Sequence, residues 1–263
     1  QTPEAYDRGT GWTDLAERHG FAVLYPEQQL WNNLNGCFNW FEPGDMHRDV
    51  GEPASIKSMI DQLATDHSID PARIFITGLS AGAAMAGVMV ATYPELFAGG
   101  GLIAGLPYGV ATSMFAAIIR MGGRGRESDI ELAAFVCRAS VHGGPWPTIS
   151  IWHGTEDSTV DASNGHATVA QWRAVHGLGD VDAGEVLLDG HSHHIWRDES
   201  GRNCVELYLI AGMGHGTPLD ARNPGNVESA GAYLIDVGLS STQRLAASWG
   251  LTNGQRHFSA QTL

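Results

Sequence analysis

The chain has 263 residues, 43% of them apolar and only 17% charged, a balance that supports a buried core and excludes a disordered chain. Its net charge of −14 repels a phosphate backbone and so argues against nucleic acid as a partner, and no run of about 18 apolar residues occurs that would span a membrane. Three cysteines, Cys37, Cys137 and Cys204, allow at most one internal disulfide, and the absence of a CxxC pair argues against a structural zinc site.

In chain order, residues 10–19 have helical spacing with Gly20 as a stop, and residues 21–25 (FAVLY) read as a short buried strand ended by Pro26. A loop rich in Asn, Gly and aromatics follows over 27–52. Pro53 and Ala54 open a helix that runs to about His67 and is closed by the turn Asp70-Pro71. Residues 73–78 (RIFITG) are a second strand, 81–93 a helix of small apolar residues ended by Pro94, and 97–104, 148–153 and 204–210 three further strands. Helices are predicted at 165–176 and 240–249.

Apolar strands without period-two alternation, separated by helices, indicate an α/β fold with a mostly parallel sheet covered on both faces. Residues 107–147 break the alternation. They contain two helical pieces split by Gly122-Gly123-Arg124-Gly125 and are predicted to form a lid inserted into a single domain of residues 1–263.

The sharpest chemical signal is Gly78-Leu79-Ser80-Ala81-Gly82, set between a predicted strand and a predicted helix. A nucleophile elbow needs that setting: the turn is tight, flanking glycines relieve it, and the serine projects above the sheet at a helix N-terminus. The Ala81 N–H would face a developing oxyanion. A serine hydroxyl also needs a base. The loops after the strands at 148–153 and 204–210 supply Asp157, favoured over Glu156 and Asp161, and His215 between two glycines, in the chain order serine, acid, histidine.

The remaining histidines read as structural. His191, His193 and His194 follow an Asp-Gly turn and suggest a polar hairpin loop with no convincing ligand spacing, and His153 is expected to support the acid loop. Trp40 and Phe41 either line a substrate pocket or anchor their loop. Met114, Phe115, Ile118 and Ile119 form a helical apolar stripe expected to pack within the lid.

The segments YPEQ (25–28), CFNWFEPGD (37–45), GEPASI (51–56), DPARIFITGLSAGAAM (70–85), ATYPELFAG (91–99), HGTEDSTV (153–160) and GMGHG (212–216) occur in order along most of residues 1–216. In this the chain resembles the polyhydroxybutyrate-depolymerase-type esterases of the α/β-hydrolase superfamily, related to feruloyl and acetylxylan esterases. The resemblance implies Ser80 as nucleophile, Asp157 as acid and His215 as base. It also implies secretion, no cofactor, and hydrolysis of a hydroxyalkanoate, feruloyl or acetyl ester through an acyl-enzyme without a metal. In place of Thr155 the family often has an acidic residue. Members also carry earlier strands ending in a His-Gly-Cys loop that donates a second oxyanion N–H. The sequence opens with Gln1-Thr2-Pro3, about where that loop would end, so either a truncated start or removal of a leader is expected. A catalytically impaired binding protein on the same fold is the alternative.

Overall fold

The structure, a computed structural model, describes residues 2–125, 127–179 and 184–252. Its main sheet is built from Phe75–Leu79 (β1), Gly99–Ile103 (β2), Thr148–Gly154 (β3), Glu185–Leu188 (β4), His191–Arg197 (β5) and Asn203–Ile210 (β6). Their spatial order is β1-β2-β3-β6-β5-β4. β1, β2, β3 and β6 run parallel, with Gly78 beside Leu102 and Ile151 beside Leu207. β4 and β5 are an antiparallel addition at one edge.

Three glycines at 99–101 make β2 a strand against which neighbours close tightly. On one face the Val90 side chain lies 3.3 Å from where a Cβ of Gly100 would stand; on the other, Leu245 lies 2.7 Å from that of Gly101. Because successive residues of a strand point to opposite faces, these two contacts put Ala81–Thr92 (α4) and Ser241–Ser248 (α8) on opposite sides of the sheet. α4 is small and apolar around its whole circumference, as a helix buried between other elements requires. Gly51–Asp66 (α3) packs on α4, and Ser163–Val175 (α7) covers β3 and β6. Between β2 and β3 stand Met114–Met121 (α5) and Asp129–Ala139 (α6), and α6 packs on α7. Gln171 of α7 fixes that insertion by donating to the carbonyls of Tyr108 and Leu132, each at 2.9 Å. No helix among the described residues is long and apolar enough to cross a membrane.

The helix predicted over 10–19 is Trp12–His19 (α2), stopped at Gly20 as expected, and an unpredicted helix, Pro3–Thr10 (α1), precedes it across Gly11 at φ 69°, a left-handed conformation that glycine adopts at little cost. The run 191–194 is strand rather than loop: Asp189-Gly190 is the hairpin turn joining β4 to β5. A further ribbon, Thr217–Leu219 (β7) with Leu234–Asp236 (β8), had no apolar run long enough to announce it. Of the stripe expected to pack within the lid, Met114, Phe115 and Ile118 face solvent instead, with Phe115 75% exposed, and Ile119 is half-buried. All three cysteines are free thiols, Cys204 buried and the other two exposed.

Residues 21–25 do not form the predicted strand. An apolar run becomes a strand only with a partner strand, and among the described residues the main chain here has none: the Phe21 N–H turns back to the Ala16 carbonyl at 3.3 Å. These residues line one side of a cleft of about 930 Å³ whose opposite side is β1. The Ile74 carbonyl accepts the Ala98 N–H at 2.8 Å and the Ser80 N–H reaches the Ile103 carbonyl at 2.9 Å. Even-numbered residues of this strand therefore address β2, and the main-chain groups of Phe75, Thr77 and Leu79 turn toward the cleft.

The loop 27–50 is organised by one carboxylate. Glu52, buried in the first turn of α3, accepts the Asn39 N–H at 2.8 Å and the Asn32 amide at 2.9 Å, and the Gln28 amide also donates to it. Burial pushes its pKa upward against those hydrogen bonds.

Candidate active site

Ser80 ends β1 and caps α4 with φ 57° and ψ −120°, a conformation that a residue with a side chain rarely adopts. The strain is over-determined by its surroundings. Its N–H is bound to β2, its carbonyl accepts the Ala84 N–H at 2.9 Å, and a Cβ on Gly78 would strike the Gly82 backbone. Gly78 is thus required by the close approach of strand and helix across the turn. The Ala81 N–H stands in the first turn of α4, where no intrahelical acceptor exists and the helix dipole favours negative charge.

His215 follows β6 in the loop 211–216 and Asp157 follows β3. The two meet: His215 Nδ1 lies 2.7 Å from Asp157 Oδ2, with the carboxylate buried. Asp157 Oδ1 accepts the N–H groups of Thr159 at 2.9 Å and Val160 at 2.8 Å. Burial alone would raise the pKa of this carboxyl, and is the largest single influence. The His215 hydrogen bond and the two backbone N–H groups together outweigh it and hold the pKa below the ordinary value.

His153, at the end of β3, is fully buried and its Nε2 lies 2.8 Å from the Val160 carbonyl. Burial lowers its pKa and keeps it neutral, so Nε2 carries the proton and donates to that carbonyl. The acid loop is thereby tied back to its own strand, in the supporting position the sequence suggests. Thr155 accepts the Gly212 N–H at 2.9 Å, joining the acid loop to the loop that carries His215. A Cβ on Gly154 would run into the Met213 carbonyl, so the two loops touch at a glycine.

Ser80, Ala81 and His215 line the same cleft, together with Gly82, Thr159 and Tyr233. Asp157 stands behind His215. Trp40 and Phe41 are elsewhere: both are buried, pack edge to face at 5.4 Å and belong to the main core, so they anchor their loop rather than line the cleft. His193 stacks on Tyr208 at 3.9 Å, with its Nε2 3.4 Å from Glu206, and takes no part in the site. Tyr233 was not singled out from the sequence. It lies in a polar stretch with no motif, and only the pairing of β7 with β8 brings it beside His215.

Comparison with known proteins places the chain in a lineage. Over 254 residues the chain is 44% identical to poly(3-hydroxyalkanoate) depolymerase C of Paucimonas lemoignei, covering 95% of this chain and 61% of the relative. It is 30% identical over 226 residues to an acetylxylan esterase of Coprinopsis cinerea, covering 82% of this chain and 59% of the relative. The chain thus spans about three fifths of the length of these two curated relatives. The solved acetyl xylan esterase from Aspergillus awamori superposes with a TM-score of 0.75 at 21% identity, over 95% of this chain and 85% of that one, a likeness of fold. The fold is that of the α/β-hydrolase esterases. The family model described as esterase PHB depolymerase matches residues 1–192. With about three quarters of its length matched, the chain belongs to the esterase PHB depolymerase family.

Proposed function

We propose that the chain hydrolyses carboxylic esters through an acyl-enzyme on Ser80, with hydroxyalkanoate esters or oligomers as substrate. The observation that carries the reading is the strained Ser80 at the head of α4, in one cleft with a His215 whose Nδ1 is held by Asp157 at 2.7 Å. With Nδ1–H donated to the carboxylate, His215 Nε2 is the free base. It takes the Ser80 proton as Oγ attacks the ester carbonyl, while Asp157 stabilises the imidazolium without itself being protonated. The Ala81 N–H stabilises the tetrahedral oxyanion. His215 then protonates the leaving alkoxide, and water attacks the acyl-enzyme by the same route in reverse.

The identity to a protein named as a poly(3-hydroxyalkanoate) depolymerase favours hydroxyacyl esters over acetyl groups on a polysaccharide, to which the acetylxylan relatives point. Either substrate fits a secreted protein. The insertion 107–147 acts as a cap, with Met121 at the end of α5 reaching the cleft.

The test is hydrolysis of p-nitrophenyl acetate and butyrate by the wild type and by Ser80→Ala, with labelling by an active-serine phosphonate. Hydrolysis and labelling that both vanish in a folded variant support the assignment. Turnover that survives the substitution removes Ser80 from it, and a folded wild type that neither turns over nor labels makes this a binding protein on an esterase fold.

A further inference from the structure

Tyr233 has φ 61°, in the left-handed region, and unlike a glycine it has a large side chain to accommodate there. The turn that holds it is short: Gly231 and Leu234 exchange hydrogen bonds of 2.9 and 3.1 Å, and the Tyr233 carbonyl accepts the Thr217 N–H at 2.8 Å. A strained conformation at a non-glycine residue persists when something else is gained at that place. The core gains nothing, because Tyr233 is 54% exposed. What the turn achieves is position: the phenol ring stands edge-on to the His215 imidazole, with centroids 6.0 Å apart and planes at 80°, and both rings line the cleft.

His215 Nδ1 is committed to Asp157, so the nitrogen that serves the substrate is Nε2. In ester hydrolysis that nitrogen gives its proton to the departing alkoxide. A ring fixed against His215 therefore borders the alcohol side of the ester, whereas the acyl carbonyl is addressed from Ser80 and the α4 terminus.

On the esterase reading above, we propose that Tyr233 is a specificity-determining residue: its exposed ring is the wall of an alcohol-side subsite and selects esters whose alcohol portion is itself a chain of several carbons, such as the next hydroxyacyl unit of an oligoester, over esters of small alcohols. The aromatic face buries the C–H surface of such an alcohol and offers methanol almost nothing. The residue works through binding, so its effect falls on KM more than on kcat.

The experiment compares two butyrate esters that differ only in the alcohol, methyl butyrate and the butyryl ester of methyl 3-hydroxybutyrate, in the wild type, Tyr233→Gly and Tyr233→Phe. Glycine suits the backbone at φ 61°, so the variant folds, and an undiminished melting temperature checks this. In Tyr233→Gly the ratio of kcat/KM for the bulky over the small alcohol should fall by about tenfold, mainly through KM, and Tyr233→Phe should keep the wild-type ratio. The ratio of p-nitrophenyl butyrate to p-nitrophenyl acetate, which varies the acyl group, should not move. An unmoved alcohol ratio in an active enzyme, or an acyl ratio that moves instead, overturns the proposal and leaves the esterase reading standing. A wild type inert toward every ester overturns both.

Discussion

Asp157 Oδ2 lies between two imidazoles, 2.7 Å from His215 Nδ1 and 3.5 Å from His153 Nε2. The two neighbours are not equivalent. His153 is sealed in the core, kept neutral by burial, and has its Nε2 proton directed at the Val160 carbonyl. The carboxylate is thus left to His215, and His153 acts on it only by fixing the loop.

Replacing Asp157 with Asn keeps the shape but offers His215 Nδ1 an amide N–H that can donate, which holds the imidazole in the tautomer with its proton on Nε2, where it cannot act as the base. In p-nitrophenyl butyrate hydrolysis kcat should fall by about 10⁴-fold, with an unchanged circular dichroism spectrum. A loss under tenfold would remove Asp157 from the proposed role.

His153→Ala should act first on stability. It deletes a fully buried ring and leaves the Val160 carbonyl without its donor. A cost of about 2–4 kcal/mol is expected, read as a lower denaturation midpoint at constant m-value. In the remaining folded protein, activity should drop because the Asp157 loop loses its tether.

Gly154→Ala tests the contact between the acid and histidine loops. Its methyl group would run into the Met213 carbonyl, and Glu156 N–H also binds that carbonyl at 3.0 Å. Destabilisation of about 1–3 kcal/mol is expected. The loss of kcat should exceed what the unfolded fraction explains, because relief of the clash separates Asp157 from His215. Equal losses of folded protein and of activity would refute that coupling.

The pH dependence of stability should carry the mark of His176. Burial is the main cause that brings its pKa from 6.5 down to about 4, partly opposed by its hydrogen bond to the Pro147 carbonyl at 3.0 Å. The unfolded chain takes up this proton at a higher pH than the folded one, so the contribution is intact above pH 6.5 and is lost as pH falls toward 4. Between about pH 7 and about pH 5 the wild type should lose at most about 2 kcal/mol more than His176→Gln in matched urea titrations. Parallel pH profiles would contradict the assignment.

What the sequence displays and what it hides follow from how local each constraint is. The Ser80 elbow is legible because its strain is met within five residues, glycines included, and its flanks are an apolar strand and a small-residue helix. The loops of Asp157 and His215 are legible because each follows a conspicuous apolar strand. β5 is not: its run His-Ser-His-His belongs to an antiparallel edge hairpin, where polar residues are tolerated and mimic a loop. Residues 21–25 mislead in the opposite sense, since an apolar run reveals nothing about whether a pairing partner stands beside it. Trp40 and Phe41 are balanced between pocket and anchor in the sequence and are settled by burial alone. Tyr233 is invisible until β7 and β8 pair.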